Sequence, residues 1–231
     1  MIYNIKVGAF GGQLRAGDLI GVANVVEHMR KTDITTQFYL ESDAVKQSDY
    51  CQIFYNFLLK NTDYFSPTPG DCDLPSRRIN LFDFRDISGD LVKIHNTKEK
   101  KKKIVVFPLF DAPYNTYRNW PSHVFISILD SFNKDEYKDY EKIICSNKPF
   151  DIPDWKSSTD FLDNIHHIME TEVFVGGDTW SSHFAGSLDN GPKNLLYYYS
   201  SRSLIHALPF HYLNGKGNLK TYWLDFEGTT W

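Results

Sequence analysis

Residues 173–187 constrain this chain more than any other stretch. They read Val-Phe-Val-Gly-Gly-Asp-Thr-Trp-Ser-Ser-His-Phe-Ala-Gly-Ser. Val173, Phe174 and Val175 form a short apolar run ended by two glycines, the pattern of a buried parallel strand. Gly176 and Gly177 permit a sharp turn and the close approach of another group to the backbone. Asp178 and Thr179 both suit a helix N-cap, and Ser181 to Leu188 has room for a short helix. Strand, glycine turn and helix start together put unpaired N–H groups and a positive dipole end at the carboxyl edge of a sheet. Such a place suits a phosphate. A plain strand-to-helix connection has the same local pattern.

The rest of the chain repeats the alternation. Residues 2–8 read as a strand, followed by a glycine-bearing loop to Gly17. Asp18 then precedes Leu19, Val22, Val25, Val26 and Met29, a helical stripe. A second strand is expected over 36–40 and a helix over 45–60, with Ile53, Phe54, Phe57 and Leu58 on its apolar side. Residues 61–78 are rich in Pro, Gly, Asp and Ser and read as a loop, and 79–84 as a third strand. Lys93, Lys98, Lys100, Lys101, Lys102 and Lys103 crowd the next segment. This lysine run reads as a solvated linker between two halves, or as a patch facing a polyanion.

The second half is expected to open with a strand at 104–109. Asn119 can cap a helix with Pro121 in its first turn, and Trp120, Val124, Ile128 and Phe132 recur every four residues. A strand follows at 141–146. A helix is then expected from Ser157 or Ser158, with Phe161, Leu162, Ile165 and Ile168 inward. A strand is expected at 194–199, helix at 203–212, and a turn with a short strand in the tail. Strands alternating with helices in both halves imply parallel α/β architecture. The expected domains are residues 1–100 and 101–231, two Rossmann-like halves facing a cleft.

Bulk properties narrow the function. At 231 residues and 42% hydrophobic content the chain can bury a sizeable core. A formal net charge of -4 gives no global pull toward nucleic acid or anionic membrane. Cys51, Cys72 and Cys145 show neither metal spacing nor even pairing and read as reduced thiols, which suits the cytoplasm. Neither a signal peptide nor a membrane span is legible, so no membrane insertion is expected. Phosphoryl-transfer loops, paired-cysteine deaminase motifs and a Gly-x-Ser-x-Gly elbow are lacking. Asp71-Cys72-Asp73 has the Asp-x-Asp spacing of a motif that binds a metal and a diphosphate, but in a Pro-rich loop rather than after an apolar strand. It reads as coincidence, and no metal is assigned.

Three motifs resemble the heptosyltransferase family. Its nucleotide-sugar loop is roughly hydrophobic-Gly-x-Asp-Thr/Ser-Gly-x-x-His-x-Ala. Gly176, Asp178, Thr179, His183 and Ala185 fall in register, while Trp180 stands where the family has glycine. Arg118-Asn-Trp-Pro followed by Phe125 resembles the family's Lys/Arg-x-Trp-Pro-x-x-x-Phe signature. Gly17-Asp18-Leu19 resembles its first loop, whose aspartate faces the acceptor. The resemblance is best over 104–200, and this chain is short for the family.

The resemblance implies a metal-independent, inverting glycosyltransferase of GT-B type with a nucleotide-sugar donor, here a UDP-sugar, and no other cofactor. Asp18 would be the base, although the local pattern by itself favours an ordinary helix N-cap. Arg118, Gly177, Thr179, Trp180, Ser181 and His183 would meet the donor, with Asp178 holding the loop. The diphosphate leaving group needs fixed positive potential, which a helix N-terminus supplies without a metal. Lys100, Lys101 and Lys102 are the acceptor-side candidates. The small size and the lysines suit a phage enzyme acting in host cytoplasm on a hydroxymethylated base in DNA. A saccharide or lipopolysaccharide-core acceptor is the alternative. A non-catalytic nucleotide-binding module is another, and the Trp180 replacement favours it.

Overall fold

A computed structural model describes residues 1–74, 92–110, 119–177, 179–199 and 218–223. They form a mixed α/β chain with two sheets of parallel strands. Contacts divide it into two units, Met1–His95 with Ser187–Asp189, and Asn96–Gly186 with Asn190–Trp231. The division falls at 95/96 rather than at 100. A three-residue piece from late in the chain joins the first unit because Ile94 N–H donates to Ser187 O and Asp189 N–H to Ile94 O.

The first unit holds β1 (Ile2–Ile5), α1 (Ala16–Met29), β2 (Gln37–Leu40), α2 (Asp49–Asn61) and β3 (Cys72–Asp73), with strand order β2-β1-β3. Every residue of α1 from Leu19 to Val26 is buried, so the helix is enclosed on more sides than a single stripe predicts. Asn24 survives there because its Oδ1 accepts from Val92 N–H at 2.9 Å. Helix α2 begins at Asp49, not at 45. Val45 instead bridges Leu14, and Ile53 is exposed while Phe54, Phe57 and Leu58 are buried.

Strand β3 lies within the stretch expected to be all loop. The Asn4 side chain holds it: Nδ2 donates to Gly70 O at 2.9 Å, and Gly70 N–H donates to Oδ1 at 2.8 Å. That clamp aligns Cys72 with Tyr3 and Asp73 with Asn4. Asp73 then meets Lys6 Nζ at 2.7 Å. The strand expected at 79–84 and the helix at 203–212 lie outside the described residues.

In the second unit the order along the chain is β4 (Lys101–Phe107), α3 (Ser122–Asp130), β5 (Glu141–Cys145), β6 (Lys156–Ser158), α4 (Phe161–Glu170), β7 (Thr171–Gly176), α5 (Trp180–Ser187), β8 (Asn194–Tyr199) and β9 (Asn218–Trp223). The sheet order is β6-β5-β4-β7-β8-β9. Its neighbours all run parallel. Ile104 and Val106 of β4 and Val173 and Val175 of β7 pack on Phe125, Ile128 and Leu129 of α3. Burying each of those large side chains contributes about 2 kcal/mol. Lys103 and Val105 have the opposite parity and face α4, where Lys103 meets Glu170 and His167. Helices therefore cover both faces, and β4 and β7 read as continuous apolar runs.

Four expectations are corrected in this unit. The lysine run is not all linker, since Lys101, Lys102 and Lys103 begin β4. Ser157 and Ser158 belong to β6, and α4 starts at Phe161, capped by Asp160, whose Oδ1 accepts from Asp163 N–H at 2.9 Å. Pro121 is itself the N-cap of α3, so Asn119 lies two residues too early. Leu162, expected inward, is 44% exposed.

Candidate functional site

From β4 the chain winds outward through β5 and β6, and from β7 it winds the other way through β8 and β9. The chain thus leaves the carboxyl ends of β4 and β7 for opposite sides of the sheet. In open parallel sheets this reversal point is where ligands bind. Phe107 ends β4 and pairs with Gly176, which ends β7. The 176–182 turn stands at that point.

The turn is built by close packing. A Cβ on Gly176 would lie 2.6 Å from Ser182 Oγ and 2.6 Å from the Phe174 ring, so α5 can sit this near β7 only over a glycine. Gly177 is buried, and its carbonyl accepts from Thr179 N–H at 2.8 Å and from the Ser182 hydroxyl at 2.6 Å. Thr179 and Ser181 share a hydroxyl–hydroxyl hydrogen bond of 2.6 Å. Thr179 O accepts from His183 N–H at 3.4 Å, which starts the helix. The Ser182 proton and one of the Thr179 and Ser181 protons are thus used within this segment. Ser181 and Ser182 are the second and third residues of α5, so neither amide has a carbonyl one turn earlier in the helix. They carry the positive end of the helix dipole.

Trp180 is half-buried and opens α5. Its ring meets Phe107 edge-on at 5.5 Å, Phe161 at 4.6 Å and Phe184 at 6.3 Å. An aromatic wall therefore stands at the switch point where the resembled family has a bare backbone. Phe107 and Phe161 were not legible as site residues, because their partner is remote in sequence. His183 is buried, at 6% exposure. Asp178 and Arg118 lie outside the described residues. Close to Arg118 in sequence, Trp120 N–H returns to Leu109 O at 2.6 Å, just past the end of β4.

Asp18 is the third residue of α1, and its Oδ2 accepts from Arg15 N–H at 2.9 Å. That is a helix-capping bond.

The lysines are not brought together with the turn. Lys101 begins β4 and Phe107 ends it, six residue steps or about 20 Å apart. Lys100 Nζ donates to Met169 O at 2.6 Å, Lys101 pairs with Glu170 at 2.7 Å, and Lys102 reaches Asp139 at 4.0 Å. Burial pushes the Lys100 ammonium down to about 8. Lys103, 4% exposed, is held by Glu170 at 3.1 Å and Glu141 at 3.7 Å, and it donates to His167 Nδ1 at 3.2 Å. Burial alone would raise the Glu170 carboxyl, but hydrogen bonds and charge from Lys101 and Lys103 overcome it and hold it at about 2. Burial and then the Lys103 charge push His167 below its ordinary value. This network binds α4 to the amino end of the sheet.

Asp73 is held below the ordinary carboxylate value by hydrogen bonds from Lys6 and Asn4, and Asp71 is exposed. Among the described residues, no group of three His, Cys, Asp or Glu side chains could hold a metal ion. Among them, too, no helix is long and apolar enough to cross a membrane. No protein-family model, curated protein or solved structure matches the chain.

Proposed function

We propose that the chain is a nucleotide-sugar-dependent glycosyltransferase of GT-B type, with the second unit as the donor-binding domain. The observation that carries this reading is the strand order β6-β5-β4-β7-β8-β9, whose switch point coincides with the 176–182 turn. The donor diphosphate docks at the amides of Ser181 and Ser182, where the helix end offsets its negative charge. Arg118 adds a cation to the leaving group. Trp180 stands beside Phe107 and offers an aromatic surface to the donor base. Asp18 accepts the proton of the acceptor hydroxyl. The helix end does the electrostatic work, so a divalent ion is not needed for transfer.

The reaction is sited in the cytoplasm. A hydroxymethylated base in DNA, as in a phage substrate, stays the proposed acceptor, with a saccharide as the alternative. Lys100, Lys101 and Lys102 no longer support the DNA choice, because their contacts are with Met169, Glu170 and Asp139.

The test is calorimetric titration with UDP and UDP-glucose in EDTA, followed by transfer assays on hydroxymethylated DNA and on an oligosaccharide. Donor binding and turnover are expected without metal. Absence of both rejects the proposal, and transfer only to the oligosaccharide rejects the DNA acceptor. A second reading, a non-catalytic nucleotide-binding module, is favoured by Trp180 in the glycine position and by the capping bond of Asp18. Binding without turnover on any acceptor selects it.

A further inference from the structure

Helix α2 of the first unit ends beside a concave pocket of about 330 Å³, lined by Lys60, Asn61, Thr62, Asp63, Tyr64, Lys93 and His95. A space of this size holds a small ligand rather than a single ion. We propose that it binds a small phosphorylated sugar, independently of the donor site inferred above.

The donors come first. Lys60 and Lys93 both line the pocket and are exposed, and among the described residues neither forms an ion pair with a carboxylate. Asp63, the lining carboxylate that would otherwise quench them, is drawn off by Arg30, whose Nη1 meets Oδ1 at 3.0 Å. His95 likewise has its own partner, Asp189 Oδ2 at 2.8 Å. Tyr64 is only 6% exposed. Its hydroxyl oxygen accepts from Lys93 N–H at 3.2 Å, which leaves the phenolic proton to donate. Two ammonium groups and a hydroxyl donor suit the oxygens of a phosphate monoester.

The acceptors select the remainder of the ligand. Asn61 Nδ2 donates to Phe57 O at 2.8 Å, so its Oδ1 is the group left for a ligand. The Thr62 hydroxyl donates to Leu58 O at 2.7 Å, which leaves its lone pairs. These two bonds also occupy carbonyls at the α2 C-terminus, whose negative dipole end would otherwise repel an anion. The lining therefore combines two lysines, a hydroxyl donor and neutral acceptors with the Asp63 carboxylate, which is paired to Arg30. The matching ligand has a phosphate and several hydroxyls.

The experiment is isothermal titration of the full chain with glucose 6-phosphate, inorganic phosphate and glucose, repeated on Lys60→Gln, Lys93→Gln and the double variant. Both lysines are exposed, so these variants are expected to keep the wild-type melting temperature. Glucose 6-phosphate is expected to bind more tightly than inorganic phosphate, and glucose not measurably. Each substitution is expected to weaken glucose 6-phosphate binding about tenfold, the loss of one charge-assisted contact. Failure of glucose 6-phosphate to bind overturns the proposal. Binding left unchanged in the double variant also overturns it and transfers the anion to another part of the chain. UDP binding should be equal in wild type and double variant, which keeps this result separate from the fate of the donor site.

Discussion

Gly176 and Ser182 approach so closely that a methyl group on the glycine would lie 2.6 Å from the serine hydroxyl. This contact sets how near α5 stands to β7, and hence where the helix amides point. The glycine serves packing here, since positive φ is recorded at Gly8, Gly11 and Gly12 but not at Gly176.

Gly176→Ala should therefore destabilise the second unit by about 1–3 kcal/mol through overpacking. Urea unfolding of the variant measures it. Because the added methyl pushes α5 off the sheet, UDP affinity should fall as well. Unchanged stability and affinity would show that the turn tolerates a wider spacing.

Substitution separates the capping bond of Asp18 from its proposed role as base. Asp18→Asn keeps an oxygen acceptor for Arg15 N–H, whereas Asp18→Ala removes it and should cost about 1 kcal/mol of stability. If Asp18 is the base, Asp18→Asn lowers kcat by at least about a hundredfold with little change in donor affinity. Equal turnover of wild type and Asp18→Asn removes the residue from the mechanism.

Glu170 predicts a pH dependence. Its carboxyl is held at about 2 in the fold, below its ordinary 4.5. A depressed value stabilises the protein fully above the ordinary pKa, and the benefit is lost as pH falls toward the folded one. Glu170→Gln leaves the Lys103 ammonium with Glu141 at 3.7 Å as its remaining carboxylate. It should cost roughly 3 kcal/mol at pH 7. Urea unfolding from pH 7 to pH 2 should show a constant gap between wild type and variant down to about pH 5 that closes toward pH 2. A gap independent of pH would deny the ion pairs this role.

Trp180 offers a spectroscopic check. A nucleotide stacked on its ring would quench indole fluorescence, so UDP should dim the wild-type protein and affect Trp180→Phe much less. The phenylalanine keeps an aromatic ring against Phe107 and Phe161, so the variant should fold. Equal quenching in both proteins would move the base away from this wall.

Several of these relationships were legible in the chain itself, and the reason is locality. The apolar run at 173–175 and the glycines after it mark the end of β7, because a parallel strand buried on both faces needs continuous apolar residues. Helix α1 and β8 follow from their periods in the same way. The site was legible only to the extent that one turn carries it. Trp180 could be recognised as a departure, but its wall of Phe107 and Phe161 joins residues up to 73 positions apart.

Sequence alone therefore determined most strands and helices, though not β3 or β6, that the sheets are parallel, and where a helix start follows a glycine turn. These are properties of neighbouring residues, whose side-chain spacing selects the backbone. Tertiary structure alone decided that β7 lies beside β4, that Ser187–Asp189 joins Ile94, and that Lys101 and Lys103 meet Glu170 rather than solvent. Strand order and charge pairing depend on which surfaces pack together after the chain has folded back, and no local window contains both surfaces.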